Sequence, residues 1–402
     1  MSTSLLDCTL RDGGYLNDWK FGRDNILFIF SHLVKARIDF IEVGFLDERR
    51  EYDQDATIFP NTESINKTFE GMDKGRSKVV AMIDYGTCGL ENIQPRSETF
   101  IDGIRVIFKE KKAKGALEFC SQLKELGYMV FAQAVSITTY SDESLAALVD
   151  DINSRDLDCF SLVDTYGLLN GDDLLKKTSL VLERMVKRTG LGFHSHNNFQ
   201  LAFSNCRAFM HQPLGDRFSV VDGSLYGMGK SAGNAPTELL AMELNNCFNS
   251  GFDMNEILEI IDTTVMDLSK EFRWGYTEDF FISSEQKCHP NYVKYLREKK
   301  KLTIKMIHEI LGELPEAERL MYNESLVQSL YLRSQMSRRS AFPSGSAHCA
   351  RPYSRRCAAL WPSASPWCRC PRNPQQKCPF GGRPQENPCA PYPQCRRAPP
   401  SC

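Results

Sequence analysis

The chain has 402 residues, with 49 Lys and Arg against 51 Asp and Glu for a formal net charge of −2, and 42% of its residues are hydrophobic. That balance excludes a mostly disordered chain, a strongly basic nucleic-acid binder and a miniature disulfide scaffold. No apolar run approaches the ~18 residues of a membrane span. Asp7, Arg11 and Asp12 stand where a secretory leader would be apolar, so a cytoplasmic protein with neither membrane nor nucleic-acid partners is expected.

Over the first 230 residues, short β-rich apolar runs recur at 5–10, 40–45, 79–84, 101–109, 128–135, 159–166, 191–197 and 218–226. Amphipathic stretches lie between most of them, such as 116–126, where Leu117, Cys120 and Leu123 share a face, and 144–152. Strand, helix and strand at this interval imply parallel pairing, because a parallel connection needs a crossover of a dozen or more residues. Eight units predict an α/β fold, a closed (β/α)8 TIM barrel over residues 1–249. An open doubly wound sheet would announce itself with a Gly-rich phosphate turn after the first strand, and Gly13-Gly14 is too short for one. From 234 onward the pattern turns helical, at 237–247, 254–268, 292–298, 304–311 and 316–332, so 250–336 is expected to form a helical appendage.

The remainder, 337–402, is a different kind of polypeptide. From 341 onward it holds 8 of the 15 Cys and 13 of the 19 Pro, has no Val, Ile, Met or Asp, and carries a net charge of +8, leaving −10 for the preceding 340 residues. Its cysteines lack the paired spacing and histidine partners of a zinc site. With almost no aliphatic side chains it cannot offset chain entropy, and disorder is expected. An abrupt Arg, Pro, Cys and Ser surplus is also what a GC-rich gene read out of frame yields, so the tail reads as frameshifted or otherwise unselected sequence.

In a barrel, chemistry is built at the C-terminal ends of the strands. Unusual polar groups fall there: Thr9 to Gly14 after strand 1, Glu42 in strand 2, Asp84 ending strand 3, Asp164-Thr165 ending strand 6, His194-Ser195-His196-Asn197 on strand 7, and Gly227 to Asn234 after strand 8. His194 and His196, two apart, point to one face of a strand. By itself His-x-His is more often a hydrogen-bonded pair. Asp12 adds a carboxylate from a strand separated from strand 7 only by strand 8, which would complete a 2-His-1-carboxylate set with open positions, and Asn234 could add a carbonyl oxygen. Arg11 beside Asp12 reads either as an ion pair at a strand end or as a fixed charge aimed at a developing oxyanion. A buried Glu42 would then pair with and orient Arg11. Gly227, Gly229 and Gly233 do not match a P-loop and read as a flexible mouth loop whose glycines permit close approach to ligand. Lys230 reads as a solvated charge.

At these residues the chain resembles the DRE-TIM metallolyase superfamily, which includes 4-hydroxy-2-oxovalerate aldolase, 3-hydroxy-3-methylglutaryl-CoA lyase, homocitrate synthase and 2-isopropylmalate synthase. Asp7-Cys8-Thr9-Leu10-Arg11-Asp12-Gly13 resembles its first-strand motif, Phe193-His194-Ser195-His196-Asn197 its paired histidines, and Gly233-Asn234-Ala235-Pro236-Thr237-Glu238 its terminal loop. The resemblance spans residues 4–250 and is nearest to the 4-hydroxy-2-oxovalerate aldolase branch. It implies a divalent cation, Mn2+ foremost or Mg2+, on Asp12, His194 and His196, with Asn234 sometimes added. The cation chelates a 2-oxo acid, and Arg11 stabilises the enolate formed as a carbon–carbon bond breaks. Thr165 matches a position that contacts the substrate carboxylate in relatives; otherwise it caps the next turn. The aldolase branch carries a histidine base where this chain has Tyr15, whose ordinary pKa of about 10 suits a hydrogen-bond donor better than a base. The cysteine that the lyase branch carries on its mobile loop is absent from 226–234, which weakens a thioester-lyase reading. The expectation is an aldolase giving pyruvate plus an aldehyde, with a partner dehydrogenase or homo-oligomer implied by the same branch. The alternatives are a Claisen-type acyltransferase and a non-catalytic barrel that keeps its metal.

Overall fold

The computed structural model describes residues 3–341. Eight parallel strands make the barrel: β1 (Ser4–Asp7), β2 (Phe40–Leu46), β3 (Lys78–Asp84), β4 (Gly103–Phe108), β5 (Met129–Val135), β6 (Cys159–Asp164), β7 (Gly190–Ser195) and β8 (Ser219–Gly223). Each pairs with its neighbours in sequence, and pairing of β1 with both β8 and β2 closes the ring. A two-residue strand, Ile58–Phe59, adds to the outer end of β2. It reaches β2 where the β2–β3 register shifts, beside Gly44 at φ 149°. A Cβ there would collide with the Thr57 carbonyl, so only glycine lets the two backbones meet.

The crossover helices follow amphipathic spacing. Arg23–Lys35 buries Ile26, Ile29, Phe30 and Leu33, spacings of three and four that line one face. Asp142–Asn153 begins at Ser141, whose side chain accepts from the Ser144 amide, and its first turn carries Asp142 and Glu143, where the helix dipole favours negative charge. Buried Leu145, Leu148, Val149 and Ile152 face the sheet.

Alternation along the strands sorts the barrel interior into levels. The lowest is an apolar plug of Leu6, Phe40, Val80, Phe131, Cys159 and Val220. Two residues further along several of the same strands come Glu42, Gln133, Ser161 and Asp222, joined by Arg105 of β4, all buried. Two further again, on β7, comes His194 at the mouth. The period of two therefore aims each strand's polar residues into one interior.

Helix Met254–Ile260 packs on Arg23–Lys35 and continues through a single π-helical turn, Ile261–Val265, into Met266–Glu271. Ile257, Ile260 and Val265 share the barrel's apolar core, whereas Ile282, Tyr292, Leu296, Ile307, Ile310 and Val327 form a second core. Three elements differ from expectation. The first strand ends at Asp7, and Thr9–Asp12 is a helical turn in which the Cys8 carbonyl accepts from both Arg11 and Asp12 amides. Helix Glu278–Glu285 went unread in the sequence. The single helix expected over 316–332 is a short turn, Glu316–Glu318, and a helix, Glu324–Ala341. Between them, the Tyr292 hydroxyl donates to the Glu318 and Met321 carbonyls and accepts from the Asn323 amide, which holds the chain out of helical geometry. The expectations for the tail lie, from 342 onward, outside the described residues. Among the described residues no helix is long and apolar enough to cross a membrane.

Candidate metal centre

The loops after β1, β7 and β8 converge. Asp12, His194 and His196 each offer one ligand atom, and these atoms lie within 4.8 Å of one another. The turn that carries Asp12 is pinned from three sides: the Thr9 hydroxyl accepts from the Leu225 amide (2.8 Å), Thr57 donates to the Leu10 carbonyl (2.6 Å), and the Trp19 indole donates to the Arg11 carbonyl (2.8 Å). His196 follows β7 and bridges to Asn234.

Hydrogen bonds on the far side of each imidazole decide what the near side presents. His194 Nδ1 lies 3.0 Å from Asp222 Oδ2, and His196 Nδ1 lies 3.1 Å and 3.2 Å from the carbonyls of Lys230 and Gly233. Those partners only accept, so each Nδ1 carries the proton and each Nε2 presents a lone pair. The two Nε2 atoms are 3.4 Å apart. Lone pairs brought together beside a carboxylate repel unless something positive lies between them, so this donor set fits a divalent cation. His196 is held neutral: burial drives its pKa down to about 3, with Lys230 and Arg11 assisting and Asp12 opposing. Burial would raise the Asp12 carboxyl, but the Arg11 guanidinium and an Asn234 hydrogen bond hold it below the ordinary range.

Asn234 Nδ2 donates to Asp12 Oδ2 at 2.7 Å, and its Oδ1 is buried without a partner. The Lys230 amide also donates to Asp12 Oδ2, at 3.2 Å. The glycine loop, expected to approach a ligand closely, packs here against the side chains of the centre: a Cβ on Gly229 would collide with both Asn234 Nδ2 and Asp12 Oδ2.

Arg11 Nε donates to Glu42 Oε2 and Arg11 Nη1 to Asp12 Oδ1, both at 2.6 Å. The guanidinium thus joins Asp12 to the level below and leaves Nη2 at the cavity wall. Glu42 Oε1 lies 3.0 Å from Arg105 Nη1, while Arg105 Nη2 contacts Asp222 and donates to Gln133 at 3.2 Å. Asp222 in turn holds His194. An unbroken chain of charge therefore runs from Asp12 through Arg11, Glu42, Arg105 and Asp222 to His194. Sequence reasoning missed Arg105, Asp222 and Gln133. Their signal was a lone charged or amide residue inside an otherwise apolar strand, at the parity that faces inward.

A cavity of about 360 Å3 opens above the centre. Its wall includes Arg11, Asp12, Tyr15, Thr165, both histidines and Lys230, and the appendage adds His289, Met321 and Tyr322. Thr165 Oγ1 accepts from the Ser136 amide at 2.7 Å, so a structural bond occupies one side of its hydroxyl. Tyr15 is 39% exposed, its ring against Trp19 and Phe45. Its phenol is pushed above its ordinary value by removal of the hydroxyl from water; Arg11 opposes this, and Asp12, Asp84 and Glu42 add to it. Lys230, expected as a solvated charge, is half-buried with its ammonium 5.1 Å from the Tyr15 ring centroid.

The HMGL-like family model matches residues 2–264. The 4-hydroxy-2-oxovalerate aldolase of Thermomicrobium roseum is 28% identical over 267 residues, 65% of this chain and 72% of the relative. That of Moorella thermoacetica is 24% identical over 267 residues, 66% and 77% of the two chains. The solved HMG-CoA lyase of Bacillus subtilis superposes with a TM-score of 0.54 at 15% identity, covering 68% of this chain and 95% of the lyase. With a matched segment that spans the whole barrel and every residue of the candidate centre, the chain belongs to the HMGL-like family.

Proposed function

We propose that this chain is a divalent-metal-dependent aldolase that cleaves a 4-hydroxy-2-oxo acid into pyruvate, or a related 2-oxo acid, and an aldehyde. The observation that carries this reading is the pair of histidine lone pairs locked face to face beside the Asp12 carboxylate. Asp12, His194 and His196 would hold the cation. Asn234 is a candidate fourth ligand, because its buried Oδ1 lacks a partner and an amide with its ends exchanged would present oxygen beside Asp12. Imidazole and carboxylate donors with open positions suit a first-row ion such as Mn2+. When bound, the cation polarises the 2-oxo group and lowers the cost of charge on its oxygen.

The protein's own groups supply the rest. As the C3–C4 bond breaks, its electron pair moves into the C2–C3 bond and charge develops on the C2 oxygen. Arg11 Nη2, the one face of the guanidinium not engaged by Glu42 or Asp12, donates to that oxygen. A donor already oriented by two carboxylates needs little reorganisation as the charge appears. Thr165, on the cavity wall, would hold the substrate carboxylate. Tyr15, kept protonated, would relay rather than abstract: it accepts the proton of the 4-hydroxyl while passing its own to water at the open mouth, and C3 of the enolate takes a proton from that water to give pyruvate.

Proton exchange tests this reading. Pyruvate in D2O with the Mn2+-loaded protein should lose its methyl proton signal, and Arg11→Met should slow that loss by roughly a hundredfold, as removal of a fixed oxyanion donor does. A folded, metal-loaded protein that leaves the methyl group unexchanged would refute it.

A further inference from the structure

The outer part of the cavity holds positive groups that the chemistry above does not use. Lys230, from the loop after β8, is half-buried on its wall, and the only printed contact of its side chain is the Tyr15 ring. Lys109, just past β4, lines the same wall. Among the described residues neither ammonium has a carboxylate within ion-pair distance. Asp84 is part of the same wall and acts on both Lys109 and Lys230, but it is shared with Lys112 and Arg49, and Asp12 acts on Lys230 from the inner end. The third group is His289, from the appendage. Its Nδ1 accepts the Asn291 amide at 3.2 Å, which leaves Nε2 as a proton donor. The three groups are near enough for both ammoniums, after burial, to help drive the His289 imidazolium down to about 4.

A wall that gathers the half-buried Lys230 and the exposed Lys109 beside a neutral imidazole donor, with one shared carboxylate between them, keeps a positive excess suited to an anion. Arg11 and Asp12 already engage each other and belong to the inner end of the cavity. We propose that Lys109, Lys230 and His289 form a second anion subsite, so that the compound cleaved at the metal centre carries a carboxylate or phosphate on its aldehyde half as well as the 2-oxo acid carboxylate. The volume of about 360 Å3 suits such a small dianion. This inference rests on the aldolase reading and specifies its substrate class.

The test is condensation of pyruvate with a set of aldehydes by the full-length, Mn2+-loaded protein, alongside the pyruvate exchange assay. Propanal is the neutral acceptor, succinic semialdehyde the carboxylate and glyceraldehyde 3-phosphate the phosphate. The wild type should favour one anionic acceptor over propanal in kcat/KM by on the order of tenfold to a hundredfold, the worth of one or two charge-assisted contacts. Which anionic arm wins identifies the group. In Lys109→Met and Lys230→Met the ratio of anionic to neutral kcat/KM should fall towards one, and 0.5 M KCl should shrink it in the wild type. Exchange of pyruvate without anionic preference, or a preference unmoved in both variants, overturns the subsite while the aldolase reading stands. Absence of exchange overturns both.

Discussion

The mouth of the barrel and the level beneath it are both lined by buried polar and charged side chains, yet they are satisfied differently. Beneath, Glu42, Arg105 and Asp222 answer one another's charges, with Arg105 between the two carboxylates. At the mouth, Asp12 is held by Arg11 and Asn234 and His194 by Asp222, while His194 and His196 turn their Nε2 atoms toward one another beside the Asp12 carboxylate. The lower level is answered by its own opposite charges; the upper one turns imidazole acceptors toward a common point, a donor set that suits a cation.

That contrast predicts separable effects. The largest is at the mouth: Asp12→Ala or His194→Ala should reduce turnover on the order of a thousandfold or more, since polarisation by the cation is worth several kcal/mol. Metal titration should show binding at the single site weakened in each. Next, at the lower level, Arg105→Met should destabilise the fold by about 3–5 kcal/mol because it removes the buried charge between two carboxylates, leaving Glu42 to Arg11 alone and Asp222 to His194 alone. Urea unfolding measures this, and an unchanged midpoint would erase the distinction between the levels.

Acid sensitivity of the apoprotein sharpens the comparison. His196 has a folded pKa of about 3 against an unfolded value near 6.5. Its contribution is therefore fully present above pH 6.5 and is lost as pH falls toward 3, because the unfolded chain takes the proton first. At pH 5 this amounts to about 2 kcal/mol, and His196→Gln should remove that part of the slope between urea midpoints at pH 7 and pH 5. Smaller again, Gly229→Ala should weaken Mn2+ binding by roughly tenfold, the scale of disturbed support around a ligand, because its Cβ displaces Asp12 and Asn234. Tyr15→Phe should reduce turnover by about tenfold or more as a lost proton relay. If Tyr15 only packs against Trp19 and Phe45, its kcat will not change.

The barrel and the mouth were legible in the sequence for a common reason. Asp12, His194, His196 and Asn234 sit in contiguous motifs, where spacing of a few residues reports shared orientation. Arg105 and Asp222 are single charged letters in apolar strands, and their partners arrive from strands far away in sequence. Only closure of the ring makes sense of them. Thr9 and Leu10 were read as the end of the first strand because they continue the run from Leu5; the helical geometry of Thr9–Asp12 comes from Cys8 and from Thr57 and Trp19 arriving later in the chain. Lys230 was misjudged similarly. Its neighbours Tyr15 and His289 come from opposite ends of the described chain, so nothing local marked it as part of a cavity wall. The break between Glu318 and Glu324 is imposed by the Tyr292 hydroxyl, again a tertiary partner overriding a helical pattern.

Electron spin-echo spectroscopy of the Mn2+-loaded protein tests the central claim most directly. One ion per chain should show couplings from two imidazole nitrogens, with one nitrogen lost in His194→Ala and one in His196→Ala. A bound ion that shows no histidine nitrogen, or the same spectrum in both variants, would place the metal elsewhere and contradict the convergence of Asp12, His194 and His196 on a single cation.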